Sequence, residues 1–214
     1  MKVLAILSQK GGVGKTTIAT SLAVATETDG KSVAVIDLDP QATATFWQDT
    51  RGKDTPAVIS IQPIRLGPVL KAAAEQGTDL VIIDGAAVQR EIAYDAAAVS
   101  DFVLVPTKPA VFDIKSMSDT IKAVQQHEKP LSIVLNMISP TGVENTDAFD
   151  AAKVLGVEIC PVTIGNRKAF FRSQGEGLAV QEYEPGGKAA EEIQKLYTYT
   201  CIHLYAEETE EVMA

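Results

Sequence analysis

Short apolar runs rich in Val, Ile and Leu recur along the whole chain. Most of them do not alternate between apolar and polar residues, so we expect both faces of the corresponding strands to be buried. Stretches that can form helices separate most of the runs, and this order is typical of a parallel sheet with helices on both faces. The pattern therefore predicts a doubly wound α/β fold with a mostly parallel sheet of about seven strands. The predicted strands are KVLAIL (2–7), SVAVID (32–37), VISIQ (58–62), DLVIID (79–84), DFVLVP (101–106), LSIVLNM (131–137) and VEICPV (157–162).

Several of the intervening stretches have clear helical character. We predict helices over 16–28, 68–76 and 112–126, with Gly30 as the C-cap of the first. A last helix, over about 187–205, carries one apolar stripe that can dock onto the core. The stripe consists of Ala190, Ile193, Tyr197, Cys201 and Leu204.

One region departs from this regular pattern. Residues 42–57 are polar and contain QDTRGKDTP, which predicts a mobile insertion after the second strand rather than a domain boundary. Because the chain has no low-complexity linker and no internal repeat, we expect a single domain over 1–206. The acidic segment 207–214 is expected to be a frayed tail.

The composition is that of a globular protein and excludes several other classes. Of the 214 residues, 46% are hydrophobic, which suffices for one sizeable core. The formal net charge of −9 argues against a surface that attracts nucleic acid everywhere, so any contact with DNA must be local. No apolar run approaches the roughly 20 residues that span a bilayer, and the N-terminus does not resemble a signal peptide. We therefore expect a cytosolic protein.

The cysteines and histidines are too few and too scattered for a metal centre. Cys160 and Cys201 form no CxxC pair, and His127 and His203 lie far apart in the sequence. We expect the two cysteines to be buried small side chains rather than a disulfide.

A glycine-rich stretch, SQKGGVGKTT (8–17), follows the first predicted strand directly. Glycines at 11, 12 and 14 allow the backbone N–H groups of this stretch, including that of Val13, to close around phosphate oxygens at a helix N-terminus. In this arrangement Lys15 reaches the β and γ phosphates, Thr16 can bind Mg²⁺, and Thr17 can contact the α phosphate. The stretch departs from the common phosphate-loop pattern because Gln9 occupies the position of the first glycine. The alternative is a tightly packed turn whose lysines are solvated.

Three aspartates follow predicted strands. Asp37 and Asp39 lie at the end of the second strand, and Asp84 lies at the end of the fourth. Ligands of open α/β sheets bind outside the carboxyl ends of the strands, so the three acids and the glycine-rich stretch should share one crevice. Carboxylates there can hold Mg²⁺ through water and orient an attacking water molecule. The alternative for a single such residue is a helix N-cap.

Together these motifs carry a family resemblance. KGGVGKTT, DLDPQA, VIIDGAA and VLVPTKPAVFD, in this order and spacing, resemble the deviant Walker A P-loop ATPases of the ParA/MinD group. The similarity covers nearly the whole chain and is strongest to the small ParA-type partition ATPases. It implies that ATP and Mg²⁺ are the cofactors.

The resemblance also implies roles for single residues. Lys10, which precedes the first glycine, would reach across an ATP-dependent sandwich dimer to the partner's phosphates. Asp39 would position the hydrolytic water, Asp84 would be the Walker B acid near Mg²⁺, and Asn136 would hydrogen-bond adenine. Metal contacts are thus assigned to Thr16, Asp37, Asp39 and Asp84, the acids through water. Pro109 and Asp113 fall in a segment that forms dimer contacts in such proteins, although Asp113 could instead be a helix N-cap.

The subgroup is inferred from what surrounds the ATPase motifs. The first strand begins at residue 2, so we expect no N-terminal helix-turn-helix domain, and the acidic C-terminus disfavours a basic membrane-binding helix. The cysteines do not match the bridging pair of nitrogenase iron proteins. These features favour a nucleoid-associated cytoplasmic switch with weak ATPase activity, which positions a plasmid, chromosome or other cargo with a ParB-like adaptor. The alternative is a biosynthetic or metal-insertion ATPase of the same fold.

Such a switch would bind DNA non-specifically, and one segment can supply the charge. In NRKAFFR, Arg167, Lys168 and Arg172 concentrate positive charge with few acids nearby, and Lys188 and Lys195 could join them. One alternative is a solvated helix face. For Arg167 another is a position near the base or ribose of the nucleotide.

Overall fold

A parallel sheet of seven strands forms the centre of the structure, a computed structural model that describes residues 1–87, 90–139 and 144–206. Every neighbouring pair is parallel, and the order is β3-β2-β4-β1-β5-β6-β7. The predicted fold class is therefore confirmed, and each predicted strand overlaps one observed strand. The strands are β1 (Lys2–Ile6), β2 (Val33–Asp37), β3 (Ala57–Ser60), β4 (Leu80–Asp84), β5 (Phe102–Thr107), β6 (Leu131–Leu135) and β7 (Glu158–Ile159).

Helices cover both faces of this sheet. The helix predicted over 112–126 is divided at Met117 into two shorter helices, whereas the first and last predicted helices form close to the expected bounds. The C-cap of the first helix is Asp29 rather than Gly30, which follows it in the left-handed conformation. Within the described ranges the helices are α1 (Lys15–Thr28), α2 (Thr43–Arg51), α3 (Leu66–Glu75), α4 (Arg90–Ala98), α5 (Val111–Ser116), α6 (Ser118–Gln125), α7 (Glu144–Lys153), α8 (Lys168–Gly175), α9 (Val180–Tyr183) and α10 (Lys188–Leu204).

The absence of alternation in the strands has a direct structural reason. Leu4 and Ile6 of β1 pack in a core that includes residues of α1 and α10. Val3 and Ala5 point to the opposite face and pack in a second core with residues of α3, α4 and α6. Successive side chains of a strand point to opposite faces, so a strand that is covered on both sides is apolar at every position.

The prediction of a mobile insertion over 42–57 is wrong for most of its length, because residues 43–51 form α2. Trp47 is 2% exposed, and its Nε1–H donates to the carbonyl oxygen of Leu178 at 3.2 Å. The Arg51 guanidinium donates to both carboxylate oxygens of Glu182, at 2.5 and 2.7 Å. These anchors lie far along the chain, so the local composition gave no sign of them.

The structure describes the C-terminal part of the chain as far as residue 206. In α10 the side chains of Ala190, Ile193, Tyr197 and Leu204 are buried as expected, and Cys201 is half-buried. The predicted acidic tail 207–214 lies outside the described residues. No helix in the described ranges is both long and apolar enough to cross a membrane.

Both cysteines are free thiols, as predicted. Cys160 is fully buried, and burial raises the pKa of its thiol to about 11. It therefore behaves as a small apolar side chain of the core.

Candidate functional site

The glycine-rich stretch forms the loop between β1 and α1, at the carboxyl edge of the sheet. Gly12 and Gly14 adopt left-handed backbone conformations, with φ of 66° and 91°. A Cβ on Gly14 would lie only 2.2 Å from Nδ2 of Asn136, so this position requires glycine for space as well as for conformation. No side chain caps the N-terminus of α1. The first N–H groups of the helix are therefore available to an anion.

Lys15 is the first residue of α1 and is only 7% exposed. Its ammonium donates a hydrogen bond to the carbonyl oxygen of Lys10 at 3.3 Å, which holds the side chain back along the loop. Burial lowers the pKa of Lys15, and the nearby carboxylates of Asp84 and Asp39 oppose that shift. A desolvated ammonium in this position is strongly attracted to phosphate.

Thr16 and Asp84 form the part of the site that suits a hard cation. The Thr16 hydroxyl donates to Oδ2 of Asp84 at 2.6 Å, whereas Oδ1 of Asp84 is buried and has no hydrogen-bond partner in the described part of the chain. Burial raises the pKa of Asp84 to about 7. An unsatisfied carboxylate oxygen beside a hydroxyl is a donor set that fits Mg²⁺, directly or through water.

Asp37 and Asp39 lie next to this pair but have different surroundings. Asp37 faces Asp84 in the register of β2 and β4 and is fully buried. Its carboxylate accepts hydrogen bonds from the backbone N–H groups of Asp39 at 2.9 Å and Ala44 at 3.0 Å. Burial raises the pKa of Asp37. Asp39 is half-buried and lines the adjoining cavity, so of the two it is Asp39 that faces a ligand.

A cavity of about 560 Å³ adjoins the loop, which is a size typical of small-molecule sites. Its walls combine the loop, α1, the start of α2, the end of β6 and the segment from 164 to 175. The apolar wall formed by Phe46, Trp47, Phe170 and Phe171 was not predicted from the sequence. Its only signal there was the presence of aromatic residues in the polar segments 42–57 and 164–175. The lining residues include Gly11, Gly12, Gly14, Lys15, Thr16, Thr17, Asp39, Thr43, Phe46, Trp47, Asn136, Met137, Gly165, Arg167, Phe170, Phe171 and Gln174.

Asn136 lines this cavity and also supports the loop. Its side-chain amide donates to the carbonyl oxygen of Val13 at 2.7 Å, and its Oδ1 accepts the N–H of Met137 at 2.8 Å. Because an amide nitrogen carries two hydrogens, one remains for a ligand. The structure thus gives Asn136 a role in positioning the loop that the sequence did not indicate.

Lys10, at the start of the loop, pairs with a carboxylate of α5. Its ammonium is 3.4 Å from the carboxylate of Asp113, and the two side chains are 44% and 21% exposed. Asp113 is in the first turn of α5, whose N-cap residue is Ala110. The interpretation of Asp113 as a helix N-cap is therefore wrong.

The three cations expected to contact DNA differ in their surroundings. Lys168 and Arg172 are exposed on α8, whereas Arg167 lines the cavity. The Arg167 guanidinium donates to the Glu192 carboxylate at 2.5 to 3.1 Å. The expectation that few acids lie near this segment fails for Arg167, because α10 brings Glu192 beside it.

Comparison with known proteins agrees with this geometry. The family described as CobQ/CobB/MinD/ParA nucleotide binding domain matches residues 4–180. Maintenance of carboxysome distribution protein A of Halothiobacillus neapolitanus is 26% identical over 90% of this chain and 93% of its own length. Sporulation initiation inhibitor protein Soj of Bacillus subtilis is 27% identical over 81% of each chain.

Solved structures show the same fold. The septum site-determining protein MinD of Pyrococcus horikoshii, in complex with Mg-ADP, superposes with a TM-score of 0.74 at 18% identity, covering 93% of this chain and 95% of that one. In this chain the glycine-rich loop, the strand-terminal acids and the adjoining cavity thus lie on a fold that these structures share. The chain belongs to the CobQ/CobB/MinD/ParA nucleotide-binding domain family and is a ParA/MinD-type ATPase.

Proposed function

We propose that this protein is a dimerising switch that binds ATP with Mg²⁺, hydrolyses it slowly and positions a cargo on DNA. The observation that carries the proposal is the loop between β1 and α1. There an uncapped helix N-terminus, the buried ammonium of Lys15 and the unsatisfied Oδ1 of Asp84 converge. Backbone amides and a buried cation bind polyphosphate, and carboxylate and hydroxyl oxygens suit the accompanying Mg²⁺.

Thr16 and Asp84 would hold Mg²⁺, Thr16 directly and Asp84 through water. Bound with the nucleotide, this ion offsets the charge of the terminal phosphates. Asp39 would orient the attacking water, since it is the strand-terminal acid that reaches the cavity. Asp37 is then a positioning residue, because its carboxylate holds the backbone N–H of Asp39.

The dimer part of the proposal rests on Lys10. This side chain is nearly half exposed, and its partner Asp113 is half-buried. A solvent-screened ion pair of this kind contributes little, about 0–1 kcal/mol, so it can be exchanged for a phosphate group at little cost. In the proposed dimer, Lys10 leaves Asp113 and binds the terminal phosphates held by the partner subunit.

Replacing Lys10 tests this step. Lys10→Ala should still bind ATP, because Lys15 and the loop amides remain, but it should not form dimers with ATP and Mg²⁺. Light scattering with and without ATP measures the change in mass. Lys122→Ala is the matched control, since Lys122 is an exposed lysine on α6. ATP-dependent dimerisation of Lys10→Ala at the wild-type level would contradict the proposed role in trans.

DNA binding and the partner protein complete the proposal. The relatives include proteins named for chromosome partitioning and for distributing carboxysomes, which supports a positioning role for this chain without naming its cargo. We propose that the ATP-bound dimer holds nucleoid DNA non-specifically and that a ParB-like adaptor links it to the cargo and stimulates hydrolysis. Of Arg167, Lys168 and Arg172, only Arg167 is paired with a carboxylate in the described ranges.

A further inference from the structure

Lys108 lies beside the phosphate loop although it is far from it in the sequence. It is the first residue after β5, and β5 pairs in parallel with β1, the strand that leads into the loop. A Cβ built on Gly12 would lie 3.8 Å from Nζ of Lys108. The ammonium therefore lies in van der Waals contact with the position that a side chain of residue 12 would occupy.

The backbone of Lys108 is held in place by its neighbours. Its carbonyl oxygen accepts the N–H of Ala110 at 2.8 Å and the Thr107 hydroxyl at 3.3 Å. Pro109 follows directly and fixes one dihedral angle of the turn. The side chain therefore starts from a rigid position at the sheet edge.

The charge of Lys108 is not neutralised in the described parts of the chain. Its ammonium has neither a carboxylate within 4.0 Å nor a hydrogen-bond acceptor there, although the side chain is half-buried and the protein has a net charge of −9. Lys10, by contrast, is paired with Asp113. A partly desolvated ammonium beside a glycine-rich loop that leads into a helix without a side-chain cap matches an anion that both can contact.

The strand order places Lys108 opposite the acids. β1 lies between β4, which ends at Asp84, and β5, which Lys108 follows. The side of the loop next to β4 carries the carboxylate and hydroxyl that suit Mg²⁺, and the side next to β5 carries the ammonium. A polyphosphate on the loop would then meet oxygen ligands for its metal ion on one side and a cation on the other.

We propose that Lys108 is a second phosphate-binding lysine in cis, which contacts the terminal phosphates of a nucleoside di- or triphosphate on the loop of its own subunit. This inference rests on the proposed function, since it takes the loop to be the nucleotide site. It differs from the role of Lys10, which acts on the partner's nucleotide. Lys15 and Lys108 together would bind the phosphates before dimerisation.

The affinity for nucleotide tests the inference without relying on hydrolysis. In a Lys10→Ala background, which is expected to stay monomeric, titration of a fluorescent ATP or ADP analogue with Mg²⁺ gives the Kd. Lys108→Met should weaken binding of both nucleotides about five- to tenfold, the loss expected for one charge-assisted hydrogen bond at a partly exposed site. Lys108→Arg should bind within about twofold of the parent, because it keeps the charge. The salt dependence of the Kd should be smaller for Lys108→Met than for the parent.

Lys122→Met is the matched control, and it should bind like the parent. Thermal unfolding of each variant shows whether the fold is retained. If the parent binds ATP and Lys15→Ala does not, the proposed nucleotide site is supported. Equal affinities of Lys108→Met and Lys122→Met for ATP would then overturn the inference on Lys108 without contradicting the proposed function. If the parent binds no ATP and Lys15→Ala changes nothing, the proposed function fails instead. An effect of Lys108→Met that appears with Lys10 present and vanishes in the Lys10→Ala background would overturn the assignment in cis.

Discussion

Asp37 and Asp39 are two residues apart, yet the fold gives them different environments. Asp37 is fully buried and accepts the backbone N–H groups of Asp39 and Ala44. Asp39 is half-buried, lines the cavity and accepts, among the residues that the structure describes, the N–H of Gln41 through its Oδ1. A carboxylate whose oxygens are committed to backbone amides fixes a loop, whereas one that faces a cavity can act on water.

Replacing Asp39 tests this division at the level of a single residue. Asp39→Ala should bind ATP as the parent does, because the loop amides and Lys15 are unchanged. Its rate of ATP hydrolysis should fall by about 10²-fold or more, since a group that orients the attacking water has been lost. The ATP-bound dimer should therefore persist, as measured by light scattering after ATP is diluted.

Asp49→Ala provides the control, because Asp49 is an exposed residue of α2. It should hydrolyse ATP at the parental rate. A parental rate for Asp39→Ala as well would move the water-orienting role to Asp84.

Among the helices, α2 shows how a short element can depend on distant parts of the chain. Its last residue, Arg51, has a side chain that is only 3% exposed and is bound in two places to Glu182 of α9. Trp47 in the same helix is buried and bonded to the carbonyl oxygen of Leu178. Because α2 also forms one wall of the cavity, this anchor fixes the shape of the site.

Removing the charge of Glu182 should therefore destabilise the protein. Glu182→Gln keeps the size of the side chain and an oxygen for the N–H of Ala179, but leaves the buried Arg51 without its anion. We expect the free energy of unfolding to fall by about 2 kcal/mol, less than for a fully buried pair because Glu182 is partly exposed. Urea unfolding measures the change.

The pair of Lys71 and Glu75 in α3 is a suitable comparison, since its side chains are 80% and 68% exposed and lie 4.0 Å apart. Glu75→Gln should change the free energy of unfolding by less than about 0.5 kcal/mol. Equal effects of the two substitutions would contradict the anchoring role of Glu182.

At the scale of the whole molecule, the net charge limits how the protein can bind DNA. With a formal charge of −9, the long-range field repels DNA, and only a local patch can hold it. Lys168 and Arg172 are exposed on α8, while Arg167 is neutralised by Glu192. In the proposed ATP-bound dimer the number of patch cations would double, so we expect DNA binding to require ATP.

The double variant Lys168→Ala with Arg172→Ala should not bind DNA in a mobility-shift assay with ATP and Mg²⁺, although it should still dimerise. For the parent, four phosphate contacts per dimer would make the affinity fall about tenfold when the salt concentration doubles, whatever the DNA sequence.

Lys71→Ala with Lys122→Ala changes the net charge equally on other helices and should retain DNA. If the parent dimer shows no affinity for duplex DNA even at low ionic strength, the positioning function is refuted and the biosynthetic alternative is favoured.

The sequence by itself determined the sheet, the phosphate loop and the position of the acids. Apolar runs without alternation identified all seven strands, because burial on both faces affects every residue of a strand. Asp37, Asp39 and Asp84 could be placed together because the carboxyl ends of parallel strands meet at one edge. Each of these inferences uses only neighbours along the chain and one rule of topology.

Only the tertiary structure decided which side chains meet across that framework. The pairs Arg51–Glu182 and Arg167–Glu192, the contact of Asn136 with Val13, and the position of Lys108 over Gly12 all join residues far apart in sequence. Such contacts depend on strand order, on the register between strands and on how each helix packs, none of which leaves a local pattern in composition. For this reason the chemistry of the loop could be predicted from the sequence, whereas the distant residues that contact the loop and shape the cavity could not.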